Sequence, residues 1–333
     1  PLKMIEFLCK YADKNKIDVN VLSNALNMKP WPHMIFGNGL EELLFAIQLT
    51  FDGTIIHIIP SCYYFQLSNV VNVYTSFETG WKIDVNNLEE CFQNICGSKM
   101  LLFNNPNNPT GICYTPEEVK QIGLLCKKYD VLVLADEIYS NLVFDDSFVS
   151  IGVHTLTIRG SSFSKDVGCN GLGWLAFPNE LKSFMEKVSF FTVSNYSSIT
   201  VPIQYAFCDL LKYQLFGVQC KKVCHYYRKI CLDVCNELHS KTKLRFVSTQ
   251  SSWYLFLCFS EYSLNCTDVQ LCQMLLDYVG IIALPGSTFR CNEPLCVRFS
   301  LSNVSHVRDG INRLISWLNC LLCDNEQLVN VTL

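Results

Sequence analysis

The chain has 333 residues, half of them hydrophobic, and a formal net charge of -4. Because single cores rarely grow beyond ~250–300 residues, this much apolar material predicts a large core and two lobes. A mildly acidic chain without a basic block excludes nucleic acid and anionic membranes as its main ligands, so we expect a small-molecule site.

Cysteine usage bears on the compartment and on metal sites. The 19 cysteines are scattered through apolar stretches, and the C-x-x-C pair of Cys320 and Cys323 has no second pair at metal-site spacing. We therefore predict free thiols, buried for the most part, and no metal site. An odd count fits poorly with a paired disulfide framework, so we expect a reducing, cytoplasmic location. An organellar leader is the alternative, because the sequence does not begin with methionine.

In chain order, the first predicted element is a helix over residues 2–11, which has no core of its own. Between residues 34 and 177, short apolar runs then alternate with helical stretches. Near-continuous apolar strands separated by helices indicate a mainly parallel sheet covered on both faces, so we predict an α/β domain. The clearest strand candidates are residues 54–59, 99–103, 131–135 and 157–163.

Helix signals are clearest at Thr115-Pro116-Glu117-Glu118, where an N-cap, a first-turn proline and first-turn acids precede a periodic stretch to Lys128. Past residue 244 the predicted elements shorten and alternate between strand and helix, which indicates a smaller α+β domain. We predict a large domain over residues 13–213 and a small domain made of residues 1–12 and 214–333. Further helices are predicted over 178–190, 202–211, 214–240 and 304–320, and strands over 253–259, 281–284 and 295–301.

Two segments place polar side chains at the ends of predicted strands. The run from Asn104 to Gly111 contains four asparagines and two prolines after a buried strand, and the carboxyl edge of such a sheet is where open α/β folds bind ligands. Asp136 and Tyr139 end the next strand, where a carboxylate can keep a heteroaromatic nitrogen protonated. An ordinary turn and a helix-capping acid are the structural alternatives for these two segments.

Two further charged residues are candidates for catalysis or for substrate binding. Lys165 follows Ser162 and Ser164, and a lysine amine forms a Schiff base with an aldehyde once its pKa is lowered. A solvated lysine is the default alternative. Arg298 lies inside an apolar strand, where an unpaired charge is too costly to persist, so it needs an anionic partner: a structural acid or a substrate carboxylate.

Taken in order, the segments NNPNNPTG, ADEIY, SSFSK and VRFSLS resemble the pyridoxal-phosphate-dependent aminotransferases of class I/II, with the aspartate aminotransferase fold. Residues 37–43, 60–64, 251–254 and 284–289 add to the likeness, which extends from the first helix to about residue 318. The resemblance implies fold type I: a mainly parallel, seven-stranded sheet sandwiched by helices, with a smaller α+β domain. It also implies pyridoxal 5'-phosphate as cofactor, amino acid and 2-oxo acid substrates, and a homodimer.

The resemblance also implies a role for each matching residue. Lys165 carries the cofactor as a Schiff base and then shuttles a proton, while Asp136 pairs with the pyridinium nitrogen. Arg298 clamps the substrate α-carboxylate, and Asn108 is a second substrate-binding residue.

The remaining implied contacts hold the two ends of the cofactor. Asn108 and Tyr139 hydrogen-bond its phenolic oxygen. Its phosphate is held by the hydroxyls of Ser162 and Ser164 and by backbone N–H groups near Gly39 and Leu40, at a helix start.

Four departures from the family pattern bear on activity. The segment 170–174 lacks the arginine that the family places there against the phosphate, and Cys62 stands where an aromatic ring usually stacks on the pyridine. Tyr63 or Tyr64 could replace that ring only if the loop shifts. The chain also begins at the helix that in the family follows an N-terminal arm, and Leu40 and Glu41 replace a small polar pair.

Three readings therefore stay open. The first is an active aminotransferase working through Lys165. The second is a cofactor-poor or truncated homologue that binds or dimerises without catalysis. The third is another pyridoxal-phosphate enzyme of the same fold, such as a decarboxylase, a β-lyase or a cyclopropane-forming synthase, because a fold does not determine the reaction.

Overall fold

The structure is a computed structural model of the chain. It describes residues 33–63, 69–168, 171–196, 199, 201–213 and 215–330. The helix predicted over residues 2–11 lies outside the described residues.

A seven-stranded sheet forms the centre of the first part of the chain, with strand order β1-β7-β6-β5-β4-β2-β3. Strands β2 to β6 pair in parallel, whereas β7 runs antiparallel to β6 and to β1. The sheet is therefore mainly parallel, as the near-continuous apolar runs predict. Its strands are Met34–Gly37 (β1), Thr54–Ile59 (β2), Val70–Tyr74 (β3), Lys99–Asn104 (β4), Val131–Asp136 (β5), Thr157–Ser162 (β6) and Gly173–Ala176 (β7).

Helices cover this sheet, and their starts follow from local sequence. Thr115 caps its helix through a capping box with Glu118, and Asp84 caps another by accepting from the backbone N–H groups of Asn86 and Asn87. Both caps satisfy donors that a helix start leaves without partners. The helices are Leu40–Thr50 (α1), Val85–Asn94 (α2), Pro116–Lys128 (α3), Lys182–Tyr196 (α4) and Val201–Lys212 (α5).

The rest of the described chain forms a three-stranded antiparallel sheet with helices. Its strand order is β8-β10-β9, and the long helix α6 precedes it. The elements are Leu215–Lys241 (α6), Tyr254–Cys258 (β8), Asp268–Met274 (α7), Leu284–Pro285 (β9), Cys296–Ser300 (β10) and Val304–Asn330 (α8).

The predicted elements differ from the observed ones mainly at their ends. The extended run expected over 281–284 is paired only at Leu284–Pro285, and the last helix continues past residue 320 to Asn330. The sequence pattern does not predict the strands β1, β3 and β7, because they are short and lack a long apolar run.

Two of the apolar cores show how these layers are held together. One lies within the smaller sheet and its helices, around Leu257, Phe259 and Leu314. The other joins the two sheets, because Phe256 and Phe289 pack with large-sheet residues such as Phe103. The large and small sheets therefore share buried surface, and the division at residues 213 and 214 stays a prediction. Within the described residues, no helix is long and apolar enough to cross a membrane.

Candidate active site

The candidate site lies at the carboxyl edge of the parallel strands. Asn104 at the end of β4 is the register partner of Asp136 at the end of β5, and Asp136 in turn lies beside Gly160 of β6. Because parallel strands end on the same side of a sheet, three polar segments distant in sequence meet here.

The run from Asn104 to Gly111 forms a buried loop that hydrogen bonds hold at both ends. Asn104 Oδ1 accepts from the Asn108 backbone N–H at 2.8 Å, and its Nδ2 donates to the Asp136 carbonyl at 3.3 Å. At the other end the Gly111 carbonyl accepts from the backbone of Gln250 at 2.9 Å. The loop therefore connects the strand end to the small sheet, and it is more than an ordinary turn.

Asp136 is a buried carboxylate with two protein donors. Its Oδ1 accepts from the Ile138 backbone N–H at 3.0 Å, and its Oδ2 accepts from the Tyr63 hydroxyl. Burial raises the pKa of Asp136 to about 6, although the two hydrogen bonds and the nearby Lys165 amine oppose that rise. A cation at its free lone pairs would restore the charged form.

The segment with Cys62 and Tyr63 is arranged differently from a stacking loop. The Tyr63 side chain is buried and its hydroxyl is bound to Asp136. Cys62 lies near Asp136 and Arg298, whose charges act on its thiol, and burial raises the pKa of that thiol to about 12. Tyr64, the other aromatic candidate, lies outside the described residues.

Lys165 is half-buried and has its amine over an aromatic ring. Its Nζ lies 5.9 Å from the centre of the Trp253 ring. Among the described residues we find no hydrogen bond or ion pair to this amine. It lines a cavity of about 550 Å³ with Asp166, Lys222, Tyr226 and Trp253. The amine is therefore accessible and lies close enough to act on the charge of Asp136.

A second group of residues meets at the start of α1. Ser162 Oγ and Ser164 Oγ are 2.8 Å apart, and Ser162 is the register partner of Gly173. A Cβ atom built on Gly173 would lie 2.4 Å from the Gly39 carbonyl carbon and 2.5 Å from the Leu40 nitrogen. The backbone of β7 therefore comes very close to the start of α1, near the two serines. Only glycine at position 173 leaves room for this approach.

Arg298 is half-buried rather than buried, which corrects the expectation of an enclosed charge. Its Nη1 donates to Asn108 Oδ1 at 2.9 Å. Its guanidinium carbon lies 4.3 Å from the Tyr254 ring centre and 4.9 Å from that of Phe289. Within the described residues we find no carboxylate paired with it, so the substrate alternative fits better than a structural acid.

Tyr139 joins an aromatic cluster beneath these charges. Its hydroxyl lies 3.3 Å from the Tyr254 hydroxyl, and its ring meets the Trp253 ring edge-on at 6.1 Å. Burial raises the pKa of Tyr139 well above its ordinary value, so the phenol stays a hydrogen-bond donor at neutral pH.

Sequence reasoning missed two buried acids beside the site. Glu137 Oε2 accepts from Arg159 Nε at 2.9 Å and Nη2 at 2.7 Å, and Ser150 donates to its other oxygen. Asp166 accepts from Asn141 Nδ2 at 3.0 Å, and burial raises its pKa to about 7. The sequence could have identified the first pair, because Arg159 lies in the run before Lys165 and Glu137 directly follows Asp136. A charge inside an apolar run needs a partner.

Comparisons with known proteins point in one direction. The model of the family described as aminotransferase class I and II matches residues 4–314. The aspartate/prephenate aminotransferase of Nitrosomonas europaea is 24% identical over 324 residues, which cover 89% of this chain and 79% of that protein. The aspartate aminotransferase of Thermotoga maritima is 28% identical over 231 residues, which cover 67% of this chain and 56% of that protein.

Solved structures share the fold. The crystal structure of the Thermotoga maritima aspartate aminotransferase has a TM-score of 0.76 at 22% identity, covering 96% of this chain and 88% of that one. An aromatic aminotransferase from Pyrococcus horikoshii also has a TM-score of 0.76, at 21% identity, covering 98% of this chain and 93% of that one.

Proposed function

The chain belongs to the class I and II aminotransferase family, and we propose that it moves an amino group from an amino acid to a 2-oxo acid. The members of this family depend on pyridoxal phosphate. The observation that carries the proposal is that Asn104 and Asn108 link Arg298 to the end of β5 at Asp136, and that the Lys165 amine lies near enough for its charge to act on Asp136.

The ring end of the site fits this cofactor. Asp136 is a buried carboxylate whose pKa is raised to about 6, and each of its oxygens has accepted one protein hydrogen bond. A protonated ring nitrogen is the kind of cation that would return Asp136 to its charged form. Asn108 uses its carbonyl oxygen for Arg298, which leaves its Nδ2 as a donor for an oxygen on the ring; the Tyr139 hydroxyl becomes a second donor once its proton turns away from Tyr254.

The phosphate end fits less completely. The hydroxyls of Ser162 and Ser164 and the backbone N–H of Leu40 at the start of α1 supply donors for an anion. No arginine occurs between Gly171 and Ala176 in the sequence. Removing one partner of a buried charged pair typically costs ~2–5 kcal/mol, so we expect binding weaker than with that arginine present.

When bound, pyridoxal phosphate supplies an electron sink that stabilises negative charge at the substrate α-carbon. Arg298 binds the substrate carboxylate, because its planar fork matches the two oxygens; its guanidinium lies over the rings of Tyr254 and Phe289. Fixing the carboxylate orients the bond that must break.

Lys165 is the group that can accept and return the proton of the α-carbon. A neutral amine at Nζ takes the proton and then delivers it to a neighbouring atom, as a general base does. The buried rings of Tyr139 and Tyr254 lower the local dielectric beside the site, which strengthens the charge interactions there.

We also propose a homodimer and a reducing, cytoplasmic location. Large apolar side chains stay exposed on consecutive helices, including Phe190 on α4 and Val218 on α6, which supports contact with a second copy. The cysteines among the described residues are free thiols, which supports a reducing compartment. Light scattering after gel filtration tests the dimer.

Cofactor titration tests the proposed function directly. We expect pyridoxal phosphate to give a visible absorption band with the parent protein and with Lys222→Ala, and no band with Lys165→Ala. Lys222 is the matched control because it lines the same cavity. Borohydride reduction and peptide mapping should locate the cofactor on Lys165.

The reaction itself is tested by a single turnover. Adding an amino acid should convert the bound cofactor to its amine form and release a 2-oxo acid. Release of carbon dioxide or ammonia instead would point to another enzyme of the fold. A parent protein without a Lys165-dependent band at saturating cofactor would identify a cofactor-poor homologue.

A further inference from the structure

A cluster of three cysteine thiols lies in the small sheet, outside the site described above. Cys258 ends β8 and Cys296 begins β10, and the two residues are directly opposite in the antiparallel register. The thiols of Cys258 and Cys296 act on each other's pKa and the Cys291 thiol acts on the pKa of Cys296, so the three side chains lie close together.

The backbone shows which kind of register pair this is. The N–H and the carbonyl of Cys258 both bond to Arg245, at 2.8 and 3.1 Å, on the side away from β10. Phe259, the next residue, donates to the Leu295 carbonyl at 3.1 Å. Cys258 and Cys296 therefore form a non-hydrogen-bonded pair, the type whose Cα atoms are only about 4.5 Å apart.

That geometry suits a covalent bond. Opposite residues of an antiparallel pair point to the same face of the sheet, and disulfides join Cα atoms roughly 4.4–6.8 Å apart. We propose that Cys258 and Cys296 are a redox-reactive dithiol, which hydrogen peroxide or an organic peroxide converts to a cross-strand disulfide.

The surroundings indicate which thiol reacts first. Cys258 is 5% exposed and Cys296 is 0% exposed, so a molecule the size of peroxide meets Cys258. Interaction with the Cys296 thiol lowers the pKa of Cys258, with help from Ser260 and the charge of Arg245, and against burial. The Cys258 sulfur also lies 3.4 Å from the Pro294 carbonyl, a contact that favours the neutral thiol. The thiolate is the nucleophile, so the lowered pKa of Cys258 favours this sulfur as the one that attacks first.

The chemistry balances with peroxide as the oxidant. The Cys258 thiolate attacks a peroxide oxygen, so an S–O bond forms, the O–O bond breaks and hydroxide leaves to become water. The Cys296 sulfur then attacks the Cys258 sulfur, so the S–S bond forms and the S–O bond breaks. The hydroxyl leaves as a second water with the Cys296 proton. The two thiols lose two electrons and the peroxide gains them.

Peptide mapping of the peroxide-treated, full-length chain tests this assignment. Free thiols are alkylated and the protein is digested with chymotrypsin, which cuts after Tyr262 and Leu295 and so separates Cys258 from Cys266 and Cys296 from Cys291. We expect a cross-linked pair containing Cys258 and Cys296, lighter by two hydrogens than the separate peptides and absent after reduction.

Two variants make the result specific. Cys291→Ser should leave the cross-link in place, whereas Cys296→Ser should abolish it and carry Cys258 on to the sulfinic acid. A Cys291–Cys296 cross-link, loss of the cross-link in Cys291→Ser, or intact thiols at positions 258 and 296 after peroxide has oxidised other cysteines would overturn the proposal. The first measurement uses the parent chain, so it stands even if a variant fails to fold.

Discussion

Arg298 on β10 donates a hydrogen bond from Nη1 to Oδ1 of Asn108, at 2.9 Å, and so ties the small sheet to the loop that leaves β4. The same guanidinium lies over the rings of Tyr254 and Phe289. These contacts are with neutral groups, so the charge of Arg298 is left for an anion that the substrate brings.

Replacing this arginine tests its role in substrate binding. Arg298→Lys keeps the positive charge but loses the planar fork, so we expect kcat/KM to fall about 10–100-fold, with most of the change in KM. The absorption of bound pyridoxal phosphate should be unchanged. Arg245→Lys is the control, because Arg245 also lies over an aromatic ring, that of Phe77. Equal losses in both variants would remove Arg298 from the substrate site.

Asp136 should make the cofactor-free protein less stable as the pH rises. Its folded pKa of about 6 exceeds the ordinary 3.8. The stability contribution of its proton is therefore complete below about pH 4 and is lost as the pH passes through 6, at a cost of about 3 kcal/mol.

The variant Asp136→Asn removes that titration. At pH 7.5 we expect a melting temperature above that of the parent, by about 2–4 °C per kcal/mol gained, and a difference that shrinks towards pH 4. Asp166 titrates in both proteins and cancels in the comparison. A variant that is less stable than the parent at pH 7.5 would contradict the raised pKa. Asp136→Asn should also bind pyridoxal phosphate more weakly than the parent, because its side chain can no longer pair with a cation.

Tyr63 supports the charge of Asp136 through its hydroxyl. In Tyr63→Phe the pKa of Asp136 should rise further, and cofactor affinity at pH 7.5 should fall by about 3–10-fold, the range of one hydrogen bond. Tyr129→Phe is the matched control, since that hydroxyl also bonds a carboxylate, Glu89, at 2.7 Å, far from the site. Unchanged affinity in Tyr63→Phe would show that the phenol does not support the cofactor.

Gly173 permits the close approach of β7 to the start of α1. In Gly173→Ala the new Cβ would meet backbone atoms of Gly39 and Leu40, which cannot rotate away. We expect a loss of about 1–3 kcal/mol in unfolding free energy together with weaker cofactor binding. Gly217→Ala in α6 is the control: a Cβ there meets nothing within 4 Å, so its stability should be unchanged or higher. Equal effects of the two variants on unfolding free energy and on cofactor binding would show that neither depends on the close approach at Gly173.

The buried pair of Glu137 and Arg159 should matter more than any surface pair. Glu137→Gln leaves the buried guanidinium without its carboxylate, and we expect a loss of about 3–5 kcal/mol in urea unfolding. Glu117→Gln removes the partner of Lys120 in an exposed pair, 66% and 51% exposed, and should change stability by less than about 0.5 kcal/mol. A small effect at Glu137 would mean that water reaches the pair.

Much of the fold could be predicted because the determining signals are local. The apolar runs of β2, β4, β5 and β6 and the capping box before α3 depend on residues a few positions apart. The short strands β1, β3 and β7 could not, because pairing with a neighbour, and not their own sequence, makes them strands.

The sequence by itself determined the order of the elements, the family and the chemical groups that meet at the sheet edge, since ordered motifs and periodicity are properties of the chain. Only the tertiary structure decided that Tyr63 bonds Asp136, that Arg298 rests on Asn108, and that Cys258 lies opposite Cys296. These contacts join residues far apart in sequence, and they depend on strand register and on the path of loops, which no local pattern specifies.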